Sequence, residues 1–414
     1  MITRGVDVED RKIGSDSMVD VVFHLKWKSD NGIHTDGYQA SRINVWRDFL
    51  PPLLLDKLSG RQAGERIEIR LSADDALPKF DEKNIFQIKS RQFSPRGILS
   101  TAPKPAVGRF YPRGLLKDVP GVFKENVQPF RCVQLNNGHI KVDFNHPLSG
   151  RDLVLSAVVG KVENKKIERG GSSVDWMETL TNGPGMQGRW QRRQTDFFNS
   201  DAFSREDEMP DSRFYSEPRY VQHIDDTAIE MVRNTYGRFL KDDMRVLDLM
   251  SSWQSHLPEN LHFERLVGLG LNERELKKNS RLSESIVQDL NLNSELPFET
   301  NSFDAVVCTV SVEYLIDPLA VFAEISRVLR PDGYFIVTFS NRWFPTKAIR
   351  IWKNLHEFER MGLVMEYFMR SGGFANLQTY SFRGLPRPHD DKYFPDLVYS
   401  DPVYAVWGQK SQPD

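Results

Sequence analysis

The chain of 414 residues carries 55 Lys and Arg against 57 Asp and Glu, a formal net charge of −2. Its length implies two to three domains, because one core rarely serves more than roughly 250 residues. With 39% hydrophobic and 27% charged residues it has the composition of a folded chain able to bury sizeable cores. There is no global basic field, which argues against a nucleic-acid partner held by backbone electrostatics. No apolar run approaches the ~20 residues of a membrane span. The first residues lack the apolar centre of a signal peptide, so the expected location is the cytoplasm, with no membrane partner. Two cysteines, Cys132 and Cys308, cannot build a disulfide framework or a zinc site by themselves and read as buried thiols.

Up to about residue 168 the pattern is mainly β. Residues 18–27 (MVDVVFHLKW), 65–71 (ERIEIRL), 139–144 and 153–162 alternate apolar and polar side chains or form short apolar runs, as strands do. SDNG at 29–32, NNG at 136–138 and NHPLSG at 145–150 supply turns. From 167 to 204 Gly, Ser, Gln and Arg displace the apolar period, so residues 169–205 are expected to form a linker or surface arm. After residue 214 helix and strand alternate. Residues 222–240 place Ile224, Ala228, Met231, Val232 and Phe239 at helical spacing. Asp225 and Asp226 open that helix, where its dipole favours carboxylates. Strands are expected at 245–250, 266–271, within 283–290, at 303–310 and at 334–339. A helix is expected at 319–329, and a closing hairpin from 377–384 and 403–409. Near-continuous apolar strands alternating with helices specify a parallel, doubly wound α/β sheet. The expected organisation is a first domain at 1–168, the linker, and an α/β domain at 206–414.

Ligands of such sheets bind at the carboxyl ends of the strands, so the loops that follow them carry the chemistry. Three strings fall there in order: Val246-Leu247-Asp248-Leu249, then LPF with SFDAVV, then RVLRPDG. With this order and spacing, residues 219–345 resemble a class I S-adenosylmethionine-dependent methyltransferase of the small-molecule, type 11 kind. The resemblance implies a Rossmann-like fold and S-adenosyl-L-methionine as cofactor. It implies that Asp248 orients the methionine end, that Asp289 accepts from the adenine amino group, and that Leu290 packs on the adenine. Two departures stand out. Met250, Ser252 and Gln254 occupy the places of a glycine-rich loop, where glycine permits positive φ and close backbone approach. Gly270, in Val267-Gly268-Leu269-Gly270, stands where an acidic residue would grip the ribose. The replacement loop SSWQSH is polar and reads as a rebuilt cofactor site, with Ser251, Ser252 and Trp253 in contact. Gly268 and Asn272 complete that set, Asn272 as a weaker substitute for the acid.

Methyl transfer from a sulfonium is an in-line displacement whose rate depends on alignment. Hydroxyl and amine acceptors also need a general base, whereas a thiol is already appreciably ionised near neutral pH. No metal-spaced His/Asp pair accompanies these motifs. A small-molecule acceptor attacking through a thiol or sulfide is therefore expected. Tyr215, Arg219 and His223, in a segment that folds over the cofactor in this family, are candidates for acceptor or carboxylate contact; each could equally be a surface or cap residue. Glu313 and Tyr314 follow strand four and Arg342 follows strand five. Tyr314 could be an aromatic wall and Arg342 a salt-bridge partner. His256 could orient or catalyse. His389-Asp390-Asp391, among prolines, reads as a surface loop.

In the first half, VDFNHPLSGRDL at 142–153 resembles bacterial FKBP-type prolyl isomerases that carry a lobe inserted in the flap. The resemblance implies an FKBP-like domain with a polypeptide contact. The isomerase pocket segment would be Asp36-Gly37-Tyr38-Gln39-Ala40-Ser41, which lacks the aspartate expected after the aromatic. Peptide binding or support of the second domain is therefore expected rather than isomerisation. Three functions stand side by side: small-molecule methyltransferase, protein methyltransferase, and a non-enzymatic binding protein.

Overall fold

The computed structural model describes residues 11–72, 77–94, 104–167, 169–199 and 201–412. The residues read as lacking a signal-peptide centre, 1–10, lie outside them. The first half contains β1 (Ser17–Ser29), β2 (Gly32–Asn44), α1 (Pro52–Leu58), β3 (Arg66–Leu71), β4 (Ile85–Lys89), β5 (Phe110–Pro112), β6 (Pro129–Asn136), β7 (His139–Asp143) and β8 (Leu153–Asn164). Alternation is strict along β1, where Val19, Val21, Phe23, Leu25 and Trp27 all point into one core. Strands β2-β1-β8-β3 pair antiparallel. A separate sheet, β4-β7-β6-β5, is inserted between β3 and β8 and closes over its own small core around Phe130 and Val142.

The second half contains α2 (Trp176–Thr181), α3 (Asp211–Phe214), α4 (Asp226–Tyr236), β9 (Arg245–Leu249), β10 (Arg265–Gly270), α5 (Glu273–Lys278), β11 (Glu284–Val287), β12 (Phe303–Thr309), α6 (Pro318–Val328), β13 (Leu329–Phe339), α7 (Arg350–Asn354), α8 (Glu357–Ser371), β14 (Phe374–Arg383) and β15 (Val403–Lys410). The expected doubly wound sheet is present, in the order β11-β10-β9-β12-β13-β15-β14, with β15 antiparallel to both neighbours. Alternate residues of its strands serve opposite faces. Leu247, Leu249, Val306 and Cys308 pack toward α6 and α8. Val246, Ala305 and Val307 pack toward α4.

The sheet does not end at β14. Its free edge pairs in parallel with β2, from Gln378 opposite Ile33 to Arg383 opposite Tyr38, making one sheet of eleven strands. The junction is buried and polar. His34 Nδ1 lies 2.8 Å from Thr379 Oγ1, Ser381 Oγ donates to Asp36 Oδ1 at 2.9 Å, and Trp27 Nε1 donates to Asp36 Oδ2 at 2.8 Å. The Asp36–Ser41 run, expected to line an isomerase pocket, thus begins in a strand hydrogen-bonded along both edges. A Cβ on Gly37 would lie 2.4 Å from the Phe382 ring, so only glycine allows that approach.

Residues 169–205 differ from the expected linker. Trp176, Met177, Leu180, Met186, Phe197 and Ala202 are buried. The segment clamps α8, which is buried all round from Phe358 to Phe368 although Glu359, Arg360 and Glu366 interrupt its apolar residues, so its polar side chains conceal its burial. Two carboxylates go down with it. Glu359 accepts from Arg109 Nε at 3.2 Å and from Phe110 N at 2.8 Å. Glu366 takes Arg189 in a two-pronged pair at 2.6 and 2.7 Å. Removing one partner of such a pair strands a buried charge. Arg109→Ala should therefore destabilise the protein by about 3–5 kcal/mol, and Glu359→Gln in the Arg109→Ala background should recover part of the loss, both read from urea unfolding.

Candidate active site

Strands β10 and β11 are added on one side of β9, and β12 and β13 on the other. The reversal leaves a crevice at the carboxyl ends of the strands. The crevice holds a cleft of about 420 Å³, a size suited to small organic ligands.

Carboxylates line one side. Asp248, near the end of β9, is buried, and its Oδ2 accepts from Ser255 Oγ at 2.5 Å and Ser251 Oγ at 2.7 Å. Burial pushes its pKa up to about 6, against the pull of Ser255 and Ser251. Asn279 Nδ2 donates to Ser255 Oγ at 2.9 Å, which turns the Ser255 proton toward Asp248. Glu275, in the first turn of α5, accepts from Ser252 Oγ at 2.5 Å and Arg219 N at 2.6 Å. Asp289, after β11, accepts from Asn291 N at 2.9 Å, and burial raises its pKa. Leu290 is buried beside it and also lines the cleft.

The loop after β9 keeps the backbone that glycine would supply without the glycine. Met250 has φ +56°, and Val310, at the end of the adjacent β12, has φ +42°. A side chain in this region costs of order 1–3 kcal/mol and persists where its surroundings hold it. Both residues line the cleft. Ser251 N donates to Leu269 O at 2.7 Å, laying the loop on the end of β10. A Cβ at Gly270 would then lie 2.2 Å from Ser251 O. The acidic residue of the resemblance is sterically excluded there, and Glu275 brings a carboxylate to the cleft from α5.

The other side is aromatic and basic. Tyr215, Arg219, His223, Tyr314 and Arg342 all line it, with Phe344 and Tyr393. The Arg219 guanidinium sits 4.3 Å from the Phe214 ring and 5.1 Å from Phe344. Tyr314 Oη accepts from Phe344 N at 2.9 Å. Arg342 Nε donates to Asp401 at 2.9 Å, and its guanidinium lies 4.2 Å from the Tyr393 ring. Among the described residues, buried Arg219 Nη1, Arg342 Nη2 and His256 Nδ1 have no hydrogen-bond partner. Burial lowers the pKa of His223, and that of His256 to about 4, so both imidazoles are neutral at neutral pH.

Four expected residues sit elsewhere or do something else. Trp253 does not line the cleft; its Nε1 donates to Val221 O at 3.3 Å. Gly268 is packed within β10, where a Cβ would meet Leu282 at 2.4 Å. Asn272 borders the cleft, but its Oδ1 caps α5 through Arg274 N and Glu275 N, and its Nδ2 donates to Tyr215 O at 2.8 Å. Glu313 lies beneath the wall, fully buried with Oε2 unpartnered, and burial pushes its pKa up to about 8. It favours the protonated form at neutral pH and does not line the cleft. Sequence reasoning placed Ser255 only within the SSWQSH loop and missed Glu275, Lys392 and Tyr393. The Asn272-to-Glu275 spacing is a helix-start signal that pointed to α5. Nothing local marks Lys392 and Tyr393, which reach the cleft from the loop between β14 and β15.

Residues 252–337 match the methyltransferase domain family. The matched stretch runs from the loop after β9 into β13, within the doubly wound half. The chain is similar to the ubiquinone/menaquinone biosynthesis C-methyltransferase UbiE of Citrifermentans bemidjiense, 26% identical over 118 residues, covering 27% of this chain and 40% of that protein. It is also similar to the mitochondrial arginine-hydroxylase NDUFAF5 of Danio rerio, 28% identical over 165 residues, covering 37% and 47%. The chain therefore spans under half the length of these relatives. Among solved structures it is similar to the YcgJ protein of Bacillus subtilis, 14% identical with a TM-score of 0.33, covering 45% of this chain and 99% of that one.

The raised Glu313 value has a sign. The folded state holds a proton that the unfolded state releases near the ordinary value of 4.5, so this contribution is full below pH 4.5 and is lost as pH rises toward 8. Glu313→Gln should flatten the stability curve between pH 4.5 and 8 by roughly 3–5 kcal/mol relative to wild type, read from urea midpoints across that range.

Proposed function

We propose that the protein transfers the methyl group of S-adenosylmethionine to a small-molecule nucleophile held against the aromatic wall. The observation that carries this reading is the row of carboxylates Asp248, Glu275 and Asp289 across the ends of β9, β10 and β11. They present hydrogen-bond acceptors to a ligand whose donors are spread along its length. Asp248 would take the ammonium of the methionine end, Glu275 the ribose hydroxyls, and Asp289 the adenine amine, with Leu290 on the ring. The bound cofactor supplies an electrophilic sulfonium methyl. Tyr215, Tyr314 and Phe344 exclude water and align the acceptor with it, from which most of the acceleration can come.

A thiol or sulfide is the favoured acceptor. The histidines at the cleft are weakened bases and Glu313 favours the protonated form, which suits a nucleophile needing little proton abstraction. A protein acceptor is the second reading. It is supported by Phe123 and Val127, apolar side chains exposed at 61% and 83% on the lobe inserted in the first half. A relative named an arginine hydroxylase adds hydroxylation as an outcome to score, and the mass of the product separates it from methylation.

Calorimetric titration of the full chain with S-adenosylmethionine tests the cofactor assignment. Asp289→Ala should weaken binding by about 1–3 kcal/mol, the cost of an unpaired buried donor. No heat with wild type at millimolar cofactor would overturn the reading. Affinity for the ammonium-bearing cofactor should rise as pH increases through about 6, where Asp248 ionises, and Asp248→Asn should remove that rise.

A further inference from the structure

We infer that Ser252, Trp253 and Gln254 are positioning residues that latch the segment between α3 and α4 across the cofactor cleft and set how long the cofactor stays bound. This rests on the cofactor reading above. The segment, residues 215–224, has no regular structure. It brings Tyr215, Arg219, Gln222 and His223 to the cleft, yet Tyr220 and Val221 are 48% and 54% exposed. A strip with so little apolar burial of its own opens at low cost unless something holds it.

Besides the Phe344 ring that packs on Tyr215, Arg219 and His223, its hydrogen-bonded fastenings divide in two. The first half is tied to α5: Asn272 Nδ2 donates to Tyr215 O, and Arg274 Nη2 donates to Ser216 O at 3.1 Å. The second half is tied to the loop after β9 by consecutive side chains. Ser252 Oγ donates to Glu275, whose other oxygen holds Arg219 N. Trp253 Nε1 donates to Val221 O, and its ring lies 6.3 Å from that of Tyr220. Gln222 Nε2 donates to Gln254 Oε1. Glycine at 252 and 254 would have nothing to reach across with. The residues that replace glycine are thus the ones that close the segment, while Met250 alone preserves the turn beneath it.

The cofactor leaves only when the strip lifts, so the latch acts on departure. Ser252→Gly/Gln254→Gly should release S-adenosylhomocysteine faster, by about 10-fold for two lost hydrogen bonds. The association rate should change much less. Stopped-flow displacement of bound S-adenosylhomocysteine measures release, and mixing the free protein with increasing S-adenosylhomocysteine measures association. Gln254→Glu keeps an acceptor for Gln222 and should retain slow release, whereas Gln254→Leu, which has neither donor nor acceptor, should not. Should the double variant fail to fold, Gln254→Ala carries the same test. Equal release rates in wild type and these variants, with wild type binding normally, overturn the latch alone. Failure of wild type to bind overturns the cofactor reading with it.

Discussion

The parallel pairing of β14 with β2 is the contact on which the shape of the molecule depends. A doubly wound sheet normally ends in an edge strand whose amides and carbonyls face solvent, and such an edge invites unwanted pairing. Here β14 is bonded to β15 on one side and β2 on the other. The first half is therefore the continuation of the second. The cost of burying His34 and Asp36 in that junction is met by Thr379, Ser381 and Trp27, since a buried polar group is tolerated only when it is hydrogen-bonded.

The same logic governs α8. Its two buried carboxylates would unfold it if left bare, and both partners come from distant chain segments: Arg109 beside β5 and Arg189 from the stretch after β8. The first half thus contributes an edge strand and a guanidinium to the second, and the 169–205 stretch contributes a clamp. None of these touches the cleft. They brace α8, which packs with α6 against the sheet, and a site built on such elements keeps its geometry better than one built on loops.

At the cleft, departures from the expected pattern explain one another. Laying the loop after β9 on β10 fills the space an acid at 270 would need, and Glu275 brings a carboxylate to the cleft from α5. Glu275 in turn joins the loop to the covering segment. Strain at Met250 and Val310 marks the two strand ends between which the cleft opens, the place where local cost is commonly tied to function. Carboxylates line one side of the cleft and basic and aromatic side chains the other, and the hydrogen bond from Arg219 N to Glu275 joins the two.

What the sequence determined by itself was set by local period and motif spacing. The strands β9, β10, β12 and β13, the helices α4 and α6, the closing hairpin and the positions of Asp248, Asp289, Tyr314 and Arg342 follow from apolar runs and short strings, because burial of one face imposes a repeat that neighbours in the chain record. The tertiary structure alone decided what is written in no repeat. Helix α8 escapes the period because it is buried all round. The 169–205 stretch looks soluble because its polar residues face partners that are far away in the chain. Glu313 and Trp253 were themselves expected at the site, yet one turns beneath the wall and the other toward the covering segment. Lys392 and Tyr393 reach the cleft only because the β14–β15 connection folds over it. In each case the deciding contact joins residues distant in sequence, and a local pattern carries no information about which of two orientations such a contact will select.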